Sequence, residues 1–267
     1  EVLVPFSCKG RGVCPSCNAR RAHDTAIHLT ERVLPRAPYR QWTLSLPIQL
    51  RCLLARDAAL LSETLGVFMR ALFAFQRKTA RRLGIAKPLA GAVAFVQRFG
   101  SALQLTPHFH VLLPEAVFEE LPGTDPPVRR CPLPPPDDEE VERLLRTVAL
   151  RVVALLRKKG KLADQASCED ALDFLRAQAT RQPRLPLLDD ERAPQRQGKR
   201  CAFLEGFSLH ANTWVHENDR EGLERLCNYG ARGPLSLERL AALPDADLHP
   251  MRWEAPGGGL RVQRHRH

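Results

Sequence analysis

"LTPHFHVLLP", residues 105–114, is the stretch from which the fold is read. It is a strongly apolar run that carries two histidines, His108 and His110, with Phe109 between them. In a β-strand successive side chains point to opposite faces, so the two imidazoles share one face about 7 Å apart while Phe109 turns the other way, into a core. Such a face suits a divalent cation. Two half-buried histidines satisfied by backbone partners give the same pattern, and the stretch alone does not separate the two readings.

The flanking sequence supplies partners for this strand. "GAVAFVQRFG" (91–100) precedes it after a short connection and reads as its antiparallel neighbour. "RQWTLSLPIQL" (40–50) alternates in the same way and puts Trp42, Leu44 and Leu46 on one face. Between these strands, Asp57 to Arg82 carries a helical stripe of Leu61, Leu65, Phe68, Leu72 and Phe75 and ends on Lys78, Arg81 and Arg82, as the helix dipole prefers.

Residues 119–140 and 181–200 are rich in proline and charge and read as loops. A helix from Val141 to Lys159 lies between them, with a weaker one over Glu169–Ala179. "CAFLEGFSLHANTWVH" then reads as a strand pair, followed by a helix that Asn218 or Asp219 can cap and that Gly230 and Gly233 end. After Leu248 no period remains. Three regions follow: 1–35, a partial zinc-binding module with its linking helix; 36–235, the main domain; and 236–267, a degenerate or truncated tail.

Lys and Arg outnumber Asp and Glu by 40 to 30, a formal charge of +10, which favours a polyanionic partner such as nucleic acid. No run approaches about 18 uninterrupted apolar residues, so no membrane span is expected. The opening "EVLVPFSCKGRG" has no apolar h-region of a signal peptide.

Of the eight cysteines, Cys52, Cys131, Cys168, Cys201 and Cys227 are scattered and read as ordinary reduced thiols. The other three cluster in "CKGRGVCPSC", where Cys14 and Cys17 form the tight knuckle that lets two thiolates reach one Zn²⁺ and Cys8 is a third candidate ligand. A structural zinc site normally takes four ligands. Either His23 or His28 completes it, or half of the ribbon has been lost upstream, which is the preferred reading. Lys9, Arg11, Arg20 and Arg21, in and after the knuckle, suit phosphate contact or a solvated charge run.

The chain has two tyrosines, Tyr39 and Tyr229. Tyr39 sits at a strand entrance, where packing explains it. Tyr229 lies near the end of the capped helix among Arg225, Asn228 and Arg232, where its hydroxyl could meet a phosphate. A tyrosine can attack a phosphodiester polarised by a histidine-bound cation and become covalently joined to it.

These motifs, taken together, resemble the HUH-type rolling-circle transposases of the bacterial insertion-sequence-ninety-one kind. "FSCKGRGVCPSCNARRAHDTAIHLTERVLP" is similar to the family's zinc-binding module. "RQWTLSLP" and "FVQRFGSALQLTPHFHVLL" look like the His-hydrophobic-His strand and its surroundings, and "GFSLHANTWVHENDREGLERLCNYGARGPLSLERL" looks like the nucleophile helix.

The resemblance implies an α+β fold, a palm-like antiparallel sheet with flanking helices, in which the histidine strand is central and the tyrosine helix packs across the sheet. It implies cleavage and joining of single-stranded DNA at element ends, with Tyr229 as nucleophile, Mg²⁺ or Mn²⁺ on His108 and His110, structural Zn²⁺ on the cysteines, and Arg225 and Arg232 on DNA. The setting it implies is the bacterial cytoplasm, at the nucleoid. For the third ligand of the catalytic cation, Gln97 and His210 both remain open, with Gln97 preferred for its place on the neighbouring strand.

Two-tyrosine members of the family carry tyrosines four residues apart, and the position four before Tyr229 is Arg225, so the chain resembles the single-tyrosine branch. The alternative of another class is a zinc-ribbon DNA-binding protein without chemistry, or a decayed transposase remnant.

Overall fold

The computed structural model describes residues 14–100, 103–162, 193–235, 240–242, 251–255 and 258–262. The expected helix over Glu169–Ala179 and most of the loop over 181–200 lie outside them. The chain divides into two compact units, one of Glu1–Pro35, Gln97–Leu105 and Asp219–His267, the other of Arg36–Val96 and Thr106–Asn218.

In the first unit, α1 (Pro15–His28) begins with proline in its first turn and runs into a π-helical turn over Leu29–Val33. It packs on α5 (Arg220–Ala231). The buried residues of α1 are Asn18, Ala22 and Ala26, and those of α5 are Gly222, Leu223, Cys227 and Gly230, all but Leu223 and Asn18 small enough to let two helices come close. Asp219 caps α5 by accepting the Gly222 amide at 2.7 Å. Gly230 lies inside the helix and does not end it; the chain turns extended at Arg232. Gly233 follows against Asn18 of α1, where a Cβ would collide with the asparagine side chain. The tail, read from the sequence as degenerate or truncated, contains among its described residues three antiparallel strands, β10 (Leu240–Ala242), β11 (Met251–Ala255) and β12 (Gly258–Val262).

The second unit is built on a sheet in the order β2-β3-β1-β8-β7-β6, with β9 (Trp214–Val215) also paired to β1. These strands are β1 (Tyr39–Ser45), β2 (Val93–Phe99), β3 (Leu105–Pro114), β6 (Gln195–Arg196), β7 (Cys201–Leu204) and β8 (Phe207–His210); the tip of the β2–β3 hairpin belongs to the first unit. The histidine strand β3 is therefore second in the sheet, between β2 and β1, and not at its centre as expected. One face of the sheet is apolar. Trp42 and Leu44 of β1, Phe109 and Val111 of β3 and Leu209 of β8 form a continuous core with Phe68 and Leu72 of α3 (Ala58–Arg82) and Val148 and Val152 of α4 (Asp138–Lys158).

Three boundaries differ from the sequence expectation, each for a physical reason. Pro47 ends β1, and Ile48–Arg56 forms a helix, α2, where a longer strand was expected. The stretch 119–140 is not a loop: β4 (Ala116–Glu120) and β5 (Val128–Pro132) form a hairpin, with Glu119 and Arg129 paired across it at 2.6 Å. Prolines are tolerated there because a two-stranded ribbon consists of edge strands. Its inner residues, Val117 and Cys131, bury with Leu133 against Ala80 at the end of α3. Asp137 and Glu140 then form a capping box that starts α4 three residues earlier than the hydrophobic period indicates. Helix α3 is long and apolar enough to cross a membrane by length and composition, yet its apolar face lies in the core and its outer face carries arginines.

Candidate functional site

The second face of the sheet is polar, and strand register determines its make-up. Directly opposed residues of paired strands share a face. Ser45 of β1 lies between His108 of β3 and Ser208 of β8, and Thr43 lies between His110 and His210. Cys201 of β7 is next in that second row, opposite His210. A band of hydroxyls, imidazoles and one thiol thus crosses the sheet on the side away from Phe109, because Trp42 and Leu44 take the inner positions of β1.

The two histidines lean together, with ring centroids 4.9 Å apart and planes at 73°. His108 is half-buried, and its Nδ1 lies 2.6 Å from the Thr106 carbonyl oxygen. A carbonyl only accepts, so that nitrogen carries the proton and the lone pair of the neutral ring is at Nε2. Metal-bound histidines usually have this second hydrogen bond. His110 is 5 % exposed. Its Nδ1 is held 2.9 Å from Gln41 Nε2 and 3.1 Å from Thr43 Oγ1, and its Nε2 is buried. The Gln41 amide nitrogen only donates, so Nδ1 of His110 accepts and the proton of the neutral ring is on Nε2. A cation held at Nε2 of both rings therefore requires His110 to give up its Nε2 proton and the Gln41 amide to turn its oxygen toward Nδ1.

His210 is placed differently. Its Nδ1 lies 3.0 Å from Cys201 Sγ, and burial pushes the imidazole pKa down and the thiol pKa up. Both groups are therefore neutral at neutral pH, a thiol–imidazole pair separated from His110 by β1.

Behind the band, Arg40 is buried in the inner layer. Its Nε donates to Glu115 Oε1 at 2.7 Å and its Nη1 to the Ala211 carbonyl at 2.7 Å, while Trp214 Nε1 donates to Glu115 Oε2 at 2.7 Å. Glu115 directly follows β3, so this pair locks the end of the histidine strand to β1, β8 and β9.

In the first unit, Tyr229 is exposed near the end of α5, and the Arg232 guanidinium stacks over its ring, 4.0 Å from the centroid. Gln97 donates its amide to the Tyr229 carbonyl at 2.7 Å and the Gly230 carbonyl at 3.4 Å, satisfying acceptors that the helix end leaves open. That tie engages the amide nitrogen; Oε1 is the atom of Gln97 that could meet a cation. Arg225, one turn before Tyr229, lies 3.7 Å from Glu221 and 3.9 Å from Asp219, so acids of its own helix share its charge. Burial pushes the Cys227 thiol up to about 11, which marks it as a packing residue.

Cys14 stands at the N-cap of α1 and Cys17 in its first turn, while Cys8 lies outside the described residues. Among the described residues no group of three or more His, Cys, Asp or Glu side chains is arranged to hold a metal.

Sequence reasoning missed Gln41, Thr43, Glu115 and Cys201. The first two were within reach: if Trp42 and Leu44 point inward, their neighbours on β1 must join the histidines on the other face.

Two family models match the chain. Residues 91–256 match the family described as "Putative transposase", and residues 1–46 match the transposase zinc-binding domain of the insertion-sequence-ninety-one type. The first match covers more than half of the sequence and takes in both histidines and Tyr229, and the chain belongs to this transposase family. It also runs past Leu248, into the stretch read from the sequence as a degenerate or truncated tail. No curated protein and no solved structure matches the chain.

Proposed function

We propose that the chain is an HUH-type transposase that cleaves and joins single-stranded DNA through Tyr229. The observation that carries this reading is the hydrogen bond from His108 Nδ1 to the Thr106 carbonyl at 2.6 Å, which turns Nε2 of that ring toward metal chemistry beside His110. A divalent cation, Mg²⁺ or Mn²⁺, bound by His108 and His110 with Gln97 Oε1 as third ligand would polarise the scissile phosphodiester.

The chain's own residues do the rest. The Tyr229 oxygen attacks phosphorus and gives up its proton; a new O–P bond forms, the bond from phosphorus to the 3′ oxygen breaks, and that oxygen takes a proton to become a free 3′ hydroxyl. The DNA 5′ phosphate stays on Tyr229. Attack of a new 3′ hydroxyl on this linkage reverses the step and joins the strands, so no nucleotide cofactor is consumed. Arg232, stacked on the ring, stabilises the negative charge that develops on the phenolic oxygen. Thr43 and Gln41 hold the His110 ring in place through Nδ1.

Zinc belongs to the N-terminal module, with Cys14, Cys17 and Cys8 as its candidate ligands. It serves folding rather than cleavage.

The test separates binding from cutting. His108→Ala and His110→Ala should each abolish Mn²⁺-dependent cleavage of single-stranded DNA and leave DNA affinity within about twofold, because phosphate contacts come from Arg and Lys. Parallel loss of affinity and cleavage would make the histidines structural and favour a DNA-binding protein without chemistry.

A further inference from the structure

The outer face of α3 lies on the side of the second unit away from the histidines, and it carries a row of cations. Arg70, Arg77 and Arg81 fall at helical spacings of seven and four, in line with the exposed Ala74, and Lys78 and Arg82 flank them. After Glu63 the helix has no acidic residue.

Several cations of this unit have an acid beside them: Arg129 has Glu119, Arg130 has Glu217, Arg143 has Glu139, Lys159 has Glu63 and Arg196 has Glu142. Arg70, Arg77, Lys78 and Arg81 have no ion-pair partner among the described residues, and of this group only Arg82 reaches one, Glu140 at 3.8 Å. The helix dipole accounts for cations in the last turn, Arg81 and Arg82, but not for Arg70 or Arg77 one to three turns earlier. Like charges four apart, as at Arg77 and Arg81, weaken an isolated helix, so the arrangement calls for an external anion.

We infer that the Arg70–Arg77–Arg81 face of α3 is a second DNA-binding surface, and that it holds duplex DNA by its backbone. From Arg70 to Arg81 the helix rises about 16 Å. A duplex presents roughly ten phosphate charges over that length. Ala74, Arg77, Lys78, Arg81 and Arg82 line a shallow depression, and the small side chain of Ala74 lets a phosphate backbone approach the helix. Single-strand surfaces interleave cations with exposed aromatic rings on which bases stack. The aromatic residues of this helix, Phe68, Phe73 and Phe75, are instead in or against the core.

The sheet and the thickness of α3 separate this face from the histidines, a distance on the order of 20 Å. DNA on α3 is therefore a different segment from the strand that would be cut. A transposase must bring two DNA segments together, and this surface accounts for the one that is not cleaved. The inference rests on the family's DNA substrate and not on the tyrosine chemistry, so either can fail without the other.

The test compares two full-length variants of equal charge loss, Arg70→Gln/Arg77→Gln/Arg81→Gln and the control Arg129→Gln/Arg143→Gln/Lys159→Gln. Each is first shown by circular dichroism and thermal melting to keep its fold. Affinity for a random-sequence duplex and for a short single strand is measured across a salt series. The α3 variant should bind duplex at least about tenfold more weakly, with the slope of log affinity against log salt reduced by about 0.9 for each arginine removed. Its binding and cleavage of the short single strand should match wild type, and the control should keep the wild-type slope.

Three results would overturn the inference. They are an unchanged duplex slope in the α3 variant, an equal loss in the control, which would show a general charge effect, or a parallel loss of single-strand binding, which would make α3 part of the cleaved strand's path. Retained cleavage in His108→Ala would sink the HUH reading alone.

Discussion

Removing the Glu115 carboxylate should destabilise the second unit more than any change on its surface. In Glu115→Ala, Arg40 stays buried at 4 % exposure with one remaining acceptor, the Ala211 carbonyl, and Trp214 Nε1 loses its partner. Burial already pushes the Arg40 pKa down, and the hydrogen bond and charge of Glu115 offset that cost. Breaking a buried ion pair from one side typically costs about 3–5 kcal/mol, because the remaining charge is uncompensated. Against a total stability of roughly 5–15 kcal/mol that is a large share, and for a chain of this size it corresponds to a fall in Tm of about 10 °C.

Urea unfolding followed by circular dichroism measures the loss. The double variant Arg40→Met/Glu115→Leu should recover most of it, since a well-packed apolar pair often replaces a buried ion pair without net cost. A loss below about 1 kcal/mol in Glu115→Ala would place the pair among solvent-screened ion pairs and refute the account of how β3 is anchored.

Other expected outcomes follow from single contacts. Thr43→Val keeps the shape of β1 but removes the hydroxyl beside His110 Nδ1 at 3.1 Å, and Mn²⁺ affinity measured by electron paramagnetic resonance should fall about tenfold, as for other second-layer partners of metal histidines. Gly206→Ala forces a side chain into a turn residue at φ +84° facing the Pro47 Cβ, and should cost about 1–2 kcal/mol or more in urea unfolding; a neutral result would mean that the β7–β8 turn is plastic. For His210, a folded pKa below the unfolded value means that the unfolded chain binds more protons in the window between them. Its contribution to stability is full above about pH 6.5 and is lost as pH falls toward the folded pKa, so His210→Gln should flatten the decline of Tm with acidification.

Much of this architecture can be read from residues that combine period and composition. Phe109 between two histidines fixes the faces of β3, the Leu61–Phe75 stripe fixes α3, and Asp219 fixes the start of α5. The hairpin at 116–132 was illegible because its proline and acid content outweighs the short alternation of Val117 and Cys131, whose burial depends on Ala80 of a distant helix. The Arg40–Glu115 pair is hidden for a similar reason, since its members are 75 residues apart and nothing local marks either as buried. In the candidate site the histidines and Tyr229 stand out as residue types, whereas Gln41, Thr43 and Cys201 become meaningful only once strand register sets them beside an imidazole. The pairing of His210 with Cys201 likewise depends on the β7–β8 hairpin and not on any motif.

The covalent adduct tests the central claim most directly. The protein is incubated with Mn²⁺ and single-stranded element ends labelled on the 3′ side of the cut, then run on a denaturing gel, and the labelled peptide is mapped by mass spectrometry. The account predicts a denaturation-resistant protein–DNA species joined through a 5′ phosphate on Tyr229, with an equal amount of free 3′ hydroxyl. Tyr229→Phe should lose this species while binding single strands as wild type does. An adduct that persists in Tyr229→Phe, or that maps to the buried Tyr39, would contradict it.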